Sequence, residues 1–261
     1  MQRSLSFVLL LGIVLVTQLL AMAFFPLTDT SEPRYAAIAR LMSETGDWIT
    51  PWFSPGVPFW GKPPLSFWAQ ALSFDLFGIT EFAVRLPSWL ATVACLFLVY
   101  KVTHTLYGRI VAERATLIYA SCALVFMMGG AVLTDPFFAL GTTLCMVGPI
   151  MASRGAAWWW RYSFFIGLAI GLLAKGPLVF VLVVGVFPLL YLLYPASRSL
   201  VKSLPWVTGI ILTAILSLPW FILAELKTPG FIDYFIVGEH FKWFIQPGWG
   251  DDLYGSAHRE T

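Results

Sequence analysis

The sequence predicts an all-α integral membrane protein of about seven transmembrane helices, with amphipathic interfacial helices in its first outer loop. Of its 261 residues, 59% are hydrophobic and 11% charged, with 22 Phe and 12 Trp, and the mean hydropathy is +0.80. One water-soluble core cannot bury that much apolar surface. Runs long enough to cross a bilayer, about 20 apolar residues each, fall near residues 5–25, 85–103, 112–131, 136–152, 157–174, 177–194 and 205–224. Lys and Arg alternate in density between the loops as the positive-inside rule requires.

The first run follows Arg3 and ends in Ala21-Met22-Ala23, which imitates a signal peptide with a small-residue cleavage site. Its apolar stretch is too long for a signal h-region and reads as an uncleaved first helix. With the N-terminus inside, the inner segments hold Arg3, then Lys101, Arg109 and Arg114, then Arg154 and Arg161, then Arg198 and Lys202. The short outer turns carry Lys175 as their cation. Every carboxylate except Glu113 falls outside. Acidic residues barely influence topology, so this skew places polar chemistry on the outer face. Cys95, Cys122 and Cys145 lie within the runs and read as packing residues.

The longest outer segment, residues 26–84, holds two stretches of helical periodicity. Tyr35, Ile38, Ala39 and Met42 recur at spacings of three and four, as on a helix lying in the membrane interface. A second helix begins at Pro63 and carries Leu65, Trp68, Leu72 and Leu76. Between them, DWITPWFSPGVPFWGKPP contains five prolines and cannot be helical throughout. Trp48, Trp52 and Trp60 suit an aromatic belt at headgroup level.

Several side chains here can carry chemistry. Lys62 precedes a proline pair at a helix start, where backbone N–H groups and the dipole favour an anion. Among Phe59, Trp60 and Trp68, either it meets a lipid phosphate or it snorkels to ordinary headgroups. Asp29 and Glu32 stand just outside the first run. They serve as acceptor-activating carboxylates, or Ser31 and Glu32 cap the helix opened by Pro33. Asp135 before Pro136 reads as a helix cap or as a second site carboxylate. Lys175, between two apolar runs, needs a partner or a function. Arg34 grips a phosphate or pairs with a carboxylate. His240 beside Glu239 lacks His-x-x-x-His spacing and makes a weak metal ligand set.

In this order, SEPRYAAIARLMSETGDWITPWF, FWGKPPLSFWAQALSFDLFGITEFAVRLPSWL, LTDP, LAKGP, GEHFKWF and GDDLYGSAH resemble the GT-C superfamily of lipid-dependent membrane glycosyltransferases. The resemblance is closest to the 4-amino-4-deoxy-L-arabinose transferase and dolichyl-phosphate-mannose protein mannosyltransferase-like group. It implies transfer of a sugar from a polyprenyl-phosphate carrier to a lipid, glycan or protein acceptor, with inversion, at the outer face of the cytoplasmic membrane. It implies catalytic roles for Asp29, Glu32 and Asp135, and binding of substrate or phosphate by Lys62, Arg34, Lys175 and His240. Two departures stand out. Relatives often read Asp-Glu where this chain has Ser31-Glu32, which shifts the base to Asp29 or Glu32. Many read Glu-Lys-Pro-Pro where this chain has Gly61-Lys62-Pro63-Pro64, which removes a ligand for a divalent metal, so no metal site is assigned and metal dependence stays open.

The resemblance also implies that residues 1–261 are the N-terminal transmembrane glycosyltransferase domain of a longer protein with a further C-terminal region. Nucleic acid is not an expected partner, since no basic cluster exists. The competing reading is a lipid or solute transporter or flippase. That class places ionisable groups and broken helices near the midplane, whereas here they gather at one surface. A non-catalytic scaffold would show no dependence on Lys62.

Overall fold

The computed structural model describes residues 2–28, 31–242 and 245, and each of the seven apolar runs carries helix. The first, α1 (Gln2–Phe24), has 23 residues. At 1.5 Å per residue it is about 35 Å long, enough for a hydrocarbon layer of about 30 Å. Its Leu5, Val8, Leu9, Ile13, Val16 and Leu20 are exposed, as lipid-facing side chains should be, while Gln18 and Met22 near its C-terminal end are buried.

The first outer segment forms α2 (Ser31–Thr45), a short hairpin of β1 (Trp52–Ser54) and β2 (Val57–Pro58), and α3 (Leu65–Phe77). Gly56, at φ 81°, makes the turn of the hairpin. The stripe of Tyr35, Ile38, Ala39 and Met42 is buried as its spacing requires, and it packs with Phe59, Phe67, Ala71, Phe74 and Val84. The apolar face of α2 is therefore covered by α3 and the next helix. Asp47 binds this segment together: its carboxylate accepts from the Ile49 and Thr50 amides, both at 3.1 Å, and from Trp52 Nε1 at 2.7 Å. Lys227 Nζ reaches the same carboxylate at 2.7 Å.

The chain continues through α4 (Glu81–Tyr107), α5 (Arg109–Ser121), α6 (Ala123–Met128), α7 (Asp135–Ser153), α8 (Trp160–Lys175), α9 (Leu178–Leu193), α10 (Arg198–Lys202) and α11 (Trp206–Lys227). A wide, π-type helix, Asp233–Lys242, follows. Thr80 caps α4, its hydroxyl accepting from the Ala83 amide at 3.1 Å. The expected helix over 112–131 is broken at Cys122, whose ψ of 126° is extended rather than helical, and Cys122 is exposed whereas Cys95 and Cys145 are buried. Among the described residues, four helices are long and apolar enough to cross a membrane: Leu5–Phe24 of α1, α4, α7 and α11. Helices α8 and α9 have 16 residues each, about 24 Å.

One helix pair matters most for the site. Where α7 crosses α8, a Cβ on Gly141 would lie 2.7 Å from the Gly167 carbonyl oxygen, and one on Gly167 would meet the Gly141 carbonyl in turn. Small residues let the two backbones touch. The pair is antiparallel, so the first residue of α7 and the last of α8 come to the same end of the bundle.

Candidate active site

That end of the bundle gathers side chains from five separate segments. Asp135 opens α7, and its Oδ1 accepts from Lys175 Nζ at 2.7 Å. Thr134, not Asp135, holds the N-cap position, without a side-chain cap bond, so the carboxylate is committed to the lysine rather than to the helix end. Lys175 also stands 5.8 Å from the centre of the Phe138 ring. The turn after it requires glycine: Gly176 has φ +72°, and a Cβ there would lie 2.5 Å from Phe235 Cζ.

Lys62 lies in the bend before α3; the sequence places the helix start at Pro63, but the helix begins at Leu65 with Pro64 in the N-cap position, so Lys62 stands three residues before its first turn. Its Nζ is 3.8 Å from Glu239 Oε2 on the π-type helix, a through-space ion pair longer than a hydrogen bond, and its side chain is 31% exposed. Burial lowers the Lys62 ammonium pKa below the ordinary lysine value; Glu239 and Asp135 oppose the shift, while Lys175 and Arg34 reinforce it. Arg34, in the first turn of α2, lies 5.5 Å from the Tyr35 ring centre and 5.9 Å from that of Phe59. Its Nε is buried without a hydrogen-bond partner. Burial raises the Tyr35 phenol, against the nearby Arg34.

Among the described residues, three cations, Arg34, Lys62 and Lys175, thus face two carboxylates, Asp135 and Glu239. Such a cluster accommodates an anion, most naturally one with several oxygens that the Arg34 fork and two ammonium groups can share. His240 Nδ1 lies 2.7 Å from the Phe235 carbonyl oxygen. Because a carbonyl only accepts, Nδ1 carries the proton in the neutral ring, and Nε2 keeps a lone pair. Among the described residues, no three His, Cys, Asp or Glu side chains gather as a metal-binding group.

Glu32 belongs to a different contact. It is buried in the first turn of α2, where its Oε2 pairs with Arg85 Nη2 at 3.2 Å, each side chain 7% exposed. Its Oε1 accepts from the Val132 amide at 2.9 Å, and Oε2 lies 3.4 Å from the Thr28 amide. Arg85 also donates to the carbonyls of Phe25 at 2.5 Å and Pro26 at 2.9 Å. The pair ties the end of α1, the start of α2, α4 and the turn before α7 into one joint. Arg85 is the residue that sequence reasoning passed over. Its signal was present: an arginine at the edge of an apolar run, in FAVRLPSW, where a charge requires a partner. Asp29 and the GDDLYGSAH stretch lie outside the described residues.

Comparison with known proteins identifies the family and the fold. The family model for dolichyl-phosphate-mannose-protein mannosyltransferase matches residues 4–235. The undecaprenyl phosphate-alpha-4-amino-4-deoxy-L-arabinose arabinosyl transferase of Yersinia pestis (strain Pestoides F) is 32% identical over 226 residues, covering 84% of this chain and 40% of that protein. The protein of the same name from Yersinia enterocolitica serotype O:8 is 32% identical over 225 residues, with the same coverage of 84% and 40%. The crystal structure of ArnT from Cupriavidus metallidurans bound to undecaprenyl phosphate has a TM-score of 0.83 at 22% identity, covering 90% of this chain and 44% of that one. Its apo form gives 0.82, with coverages of 92% and 45%. The chain therefore spans about two-fifths of the length of the curated relatives it matches. The motifs in their order, the helical fold that carries them and the match over residues 4–235 lead to one assignment: the chain belongs to the dolichyl-phosphate-mannose-protein mannosyltransferase family.

Proposed function

We propose that the protein is a glycosyltransferase that takes a sugar from a polyprenyl-phosphate carrier and transfers it to a lipid, glycan or protein acceptor. The observation that carries this reading is the gathering of three cations, Arg34, Lys62 and Lys175, at one end of a membrane bundle, with Lys62 partly desolvated. The relatives named for an undecaprenyl-phosphate-linked donor support the same donor class. The site faces the outside of the cytoplasmic membrane, since the opposite loops carry the basic residues.

In the reaction, an acceptor hydroxyl attacks the anomeric carbon from the face opposite the phosphate. The bond from that carbon to the phosphate oxygen breaks, and polyprenyl phosphate leaves with the bonding electrons. A carboxylate, Asp29 by preference, takes the hydroxyl proton. Lys62, Arg34 and Lys175 stabilise the charge that grows on the departing phosphate. Asp135 holds Lys175 in place, and Glu32, clamped by Arg85, fixes the start of the helix that carries Arg34. His240 contributes a ring nitrogen beside Glu239 for a polar group of the donor.

The test is native mass spectrometry of the purified chain with polyprenyl phosphate, comparing wild type with Lys62→Ala, followed by a sugar-transfer assay. Selective binding that is lost in the variant supports the reading. Equal binding by both makes Lys62 an interfacial anchor and removes the basis of the site.

A further inference from the structure

Away from this cluster, a groove of about 530 Å3 opens between α9 and α11 over a floor of α8. Phe164, Phe165 and Leu168 form the floor, Phe187 and Pro188 one wall, and Trp206 the other. The walls are hydrocarbon and aromatic, and the indole N–H of Trp206 is already donated to the Val201 carbonyl at 2.9 Å. From Phe180 to Tyr191, both of which line it, the groove follows α9 for about 17 Å. That is close to the depth of one leaflet, about half of a 30 Å hydrocarbon core. Taking a methylene as roughly the 30 Å3 of a water molecule, the volume holds on the order of 18 carbons, the size of a single fatty acyl chain.

The charges at one end select the headgroup. At the Tyr191 end, the Arg198 guanidinium stands 5.5 Å from the Tyr191 ring centre, with its Nε donated to the Tyr191 carbonyl at 3.2 Å. The guanidinium fork has further N–H donors. Lys202 directly follows Val201, which lines the groove, and both cations are exposed. Residues 136–224 contain Arg154, Arg161, Lys175, Arg198 and Lys202 but no Asp or Glu, so this stretch supplies no counter-charge.

We propose that the groove seats one acyl chain of an anionic phospholipid, with its phosphate held by Arg198 and Lys202. A zwitterionic lipid offers the same chain but brings its own cation to a basic mouth. The carrier is the wrong occupant, because its phosphate belongs at the Lys175 end of the bundle, whereas the basic mouth of Arg198 and Lys202 lies beyond the other end of α9, a helix about 24 Å long.

The experiment is native mass spectrometry of the purified 261-residue chain with phosphatidylglycerol and phosphatidylcholine of identical acyl chains. One phosphatidylglycerol should bind in preference to phosphatidylcholine. Arg198→Gln and Lys202→Gln should each weaken it about five-fold, and the pair about 25-fold, given the attraction of one surface cation for an anionic lipid. The double variant should still take up polyprenyl phosphate. Leu192→Trp, at a rim position that is 71% exposed, should fill the groove and abolish lipid binding without disturbing the core. Equal uptake of the two lipids, or phosphatidylglycerol binding indifferent to all these variants, overturns the proposal. So does displacement of phosphatidylglycerol by polyprenyl phosphate, which would make the carrier's tail the occupant.

Discussion

Glu32→Gln separates a structural carboxylate from a catalytic one. The substitution removes the negative charge from a pair in which both side chains are 7% exposed. Arg85 keeps its carbonyl partners at Phe25 and Pro26 but loses its counter-ion. Breaking a buried pair on one side costs about 3–5 kcal/mol, and Gln, which retains the shape, belongs at the lower end. For a chain of this size about 3 kcal/mol lowers Tm by roughly 6–12 °C, which thermal unfolding in detergent resolves. Arg85→Met should cost at least as much, because the Glu32 carboxylate would then be buried with only amide partners. The double variant should cost less than the sum of the two by about 2 kcal/mol, since the residues share one interaction. Additive effects totalling under about 1 kcal/mol would show that the pair does not hold the joint. A Glu32→Gln protein with unchanged Tm but abolished sugar transfer would refute the structural role outright and make Glu32 the base.

Gly167→Leu should push α7 from α8 and separate Asp135 from Lys175, costing about 1–3 kcal/mol from overpacking, and a lower Tm with weaker polyprenyl-phosphate binding would report it. Gly176→Ala meets both a positive φ and the Phe235 ring; polyprenyl-phosphate binding should fall, and unchanged affinity would argue against the turn as the device that aims Lys175. Because Lys62 titrates below the ordinary lysine value, phosphate binding should weaken as pH rises through that lowered value, earlier than for a free lysine at about 10.4. Lys62→Arg, charged throughout, should flatten the profile. Burial by itself would raise the Asp47 carboxyl, but Lys227, Trp52 and the Thr50 and Ile49 amides hold it below the usual value. The Asp47 contribution is therefore fully present above the unfolded pKa of about 3.9 and is lost as pH falls through the folded one. Asp47→Asn should abolish that acid-side dependence of Tm.

Much of the site could be read from residue type and position. Lys62 before a proline pair and Asp135 at a helix start each kept a structural reading beside the functional one, and only Lys175, a charge in a short turn between apolar runs, called for a partner by position alone. Their convergence followed from the alternation of runs and loops. What each carboxylate does could not be read that way. Glu32 and Asp135 have the same local setting, an acid beside a proline at a helix start. One is buried against Arg85, 53 residues away in sequence; the other, with its side chain 49% exposed, meets Lys175. The break at Cys122 was equally hidden, because hydropathy over 112–131 does not register a change in ψ.

By itself, the sequence determined the medium, the helices and the end of the bundle where polar chemistry lies, since these depend on transfer free energies and loop charges that act residue by residue. Only the tertiary structure decided which charges are partners. Lys62 with Glu239, Lys175 with Asp135 and Arg85 with Glu32 are distances across the bundle, set by how closely glycines let α7 approach α8 and by what α2 and the π-type helix pack against. Coulomb energy depends on those separations and on burial, and neither is a property of the residues taken in chain order.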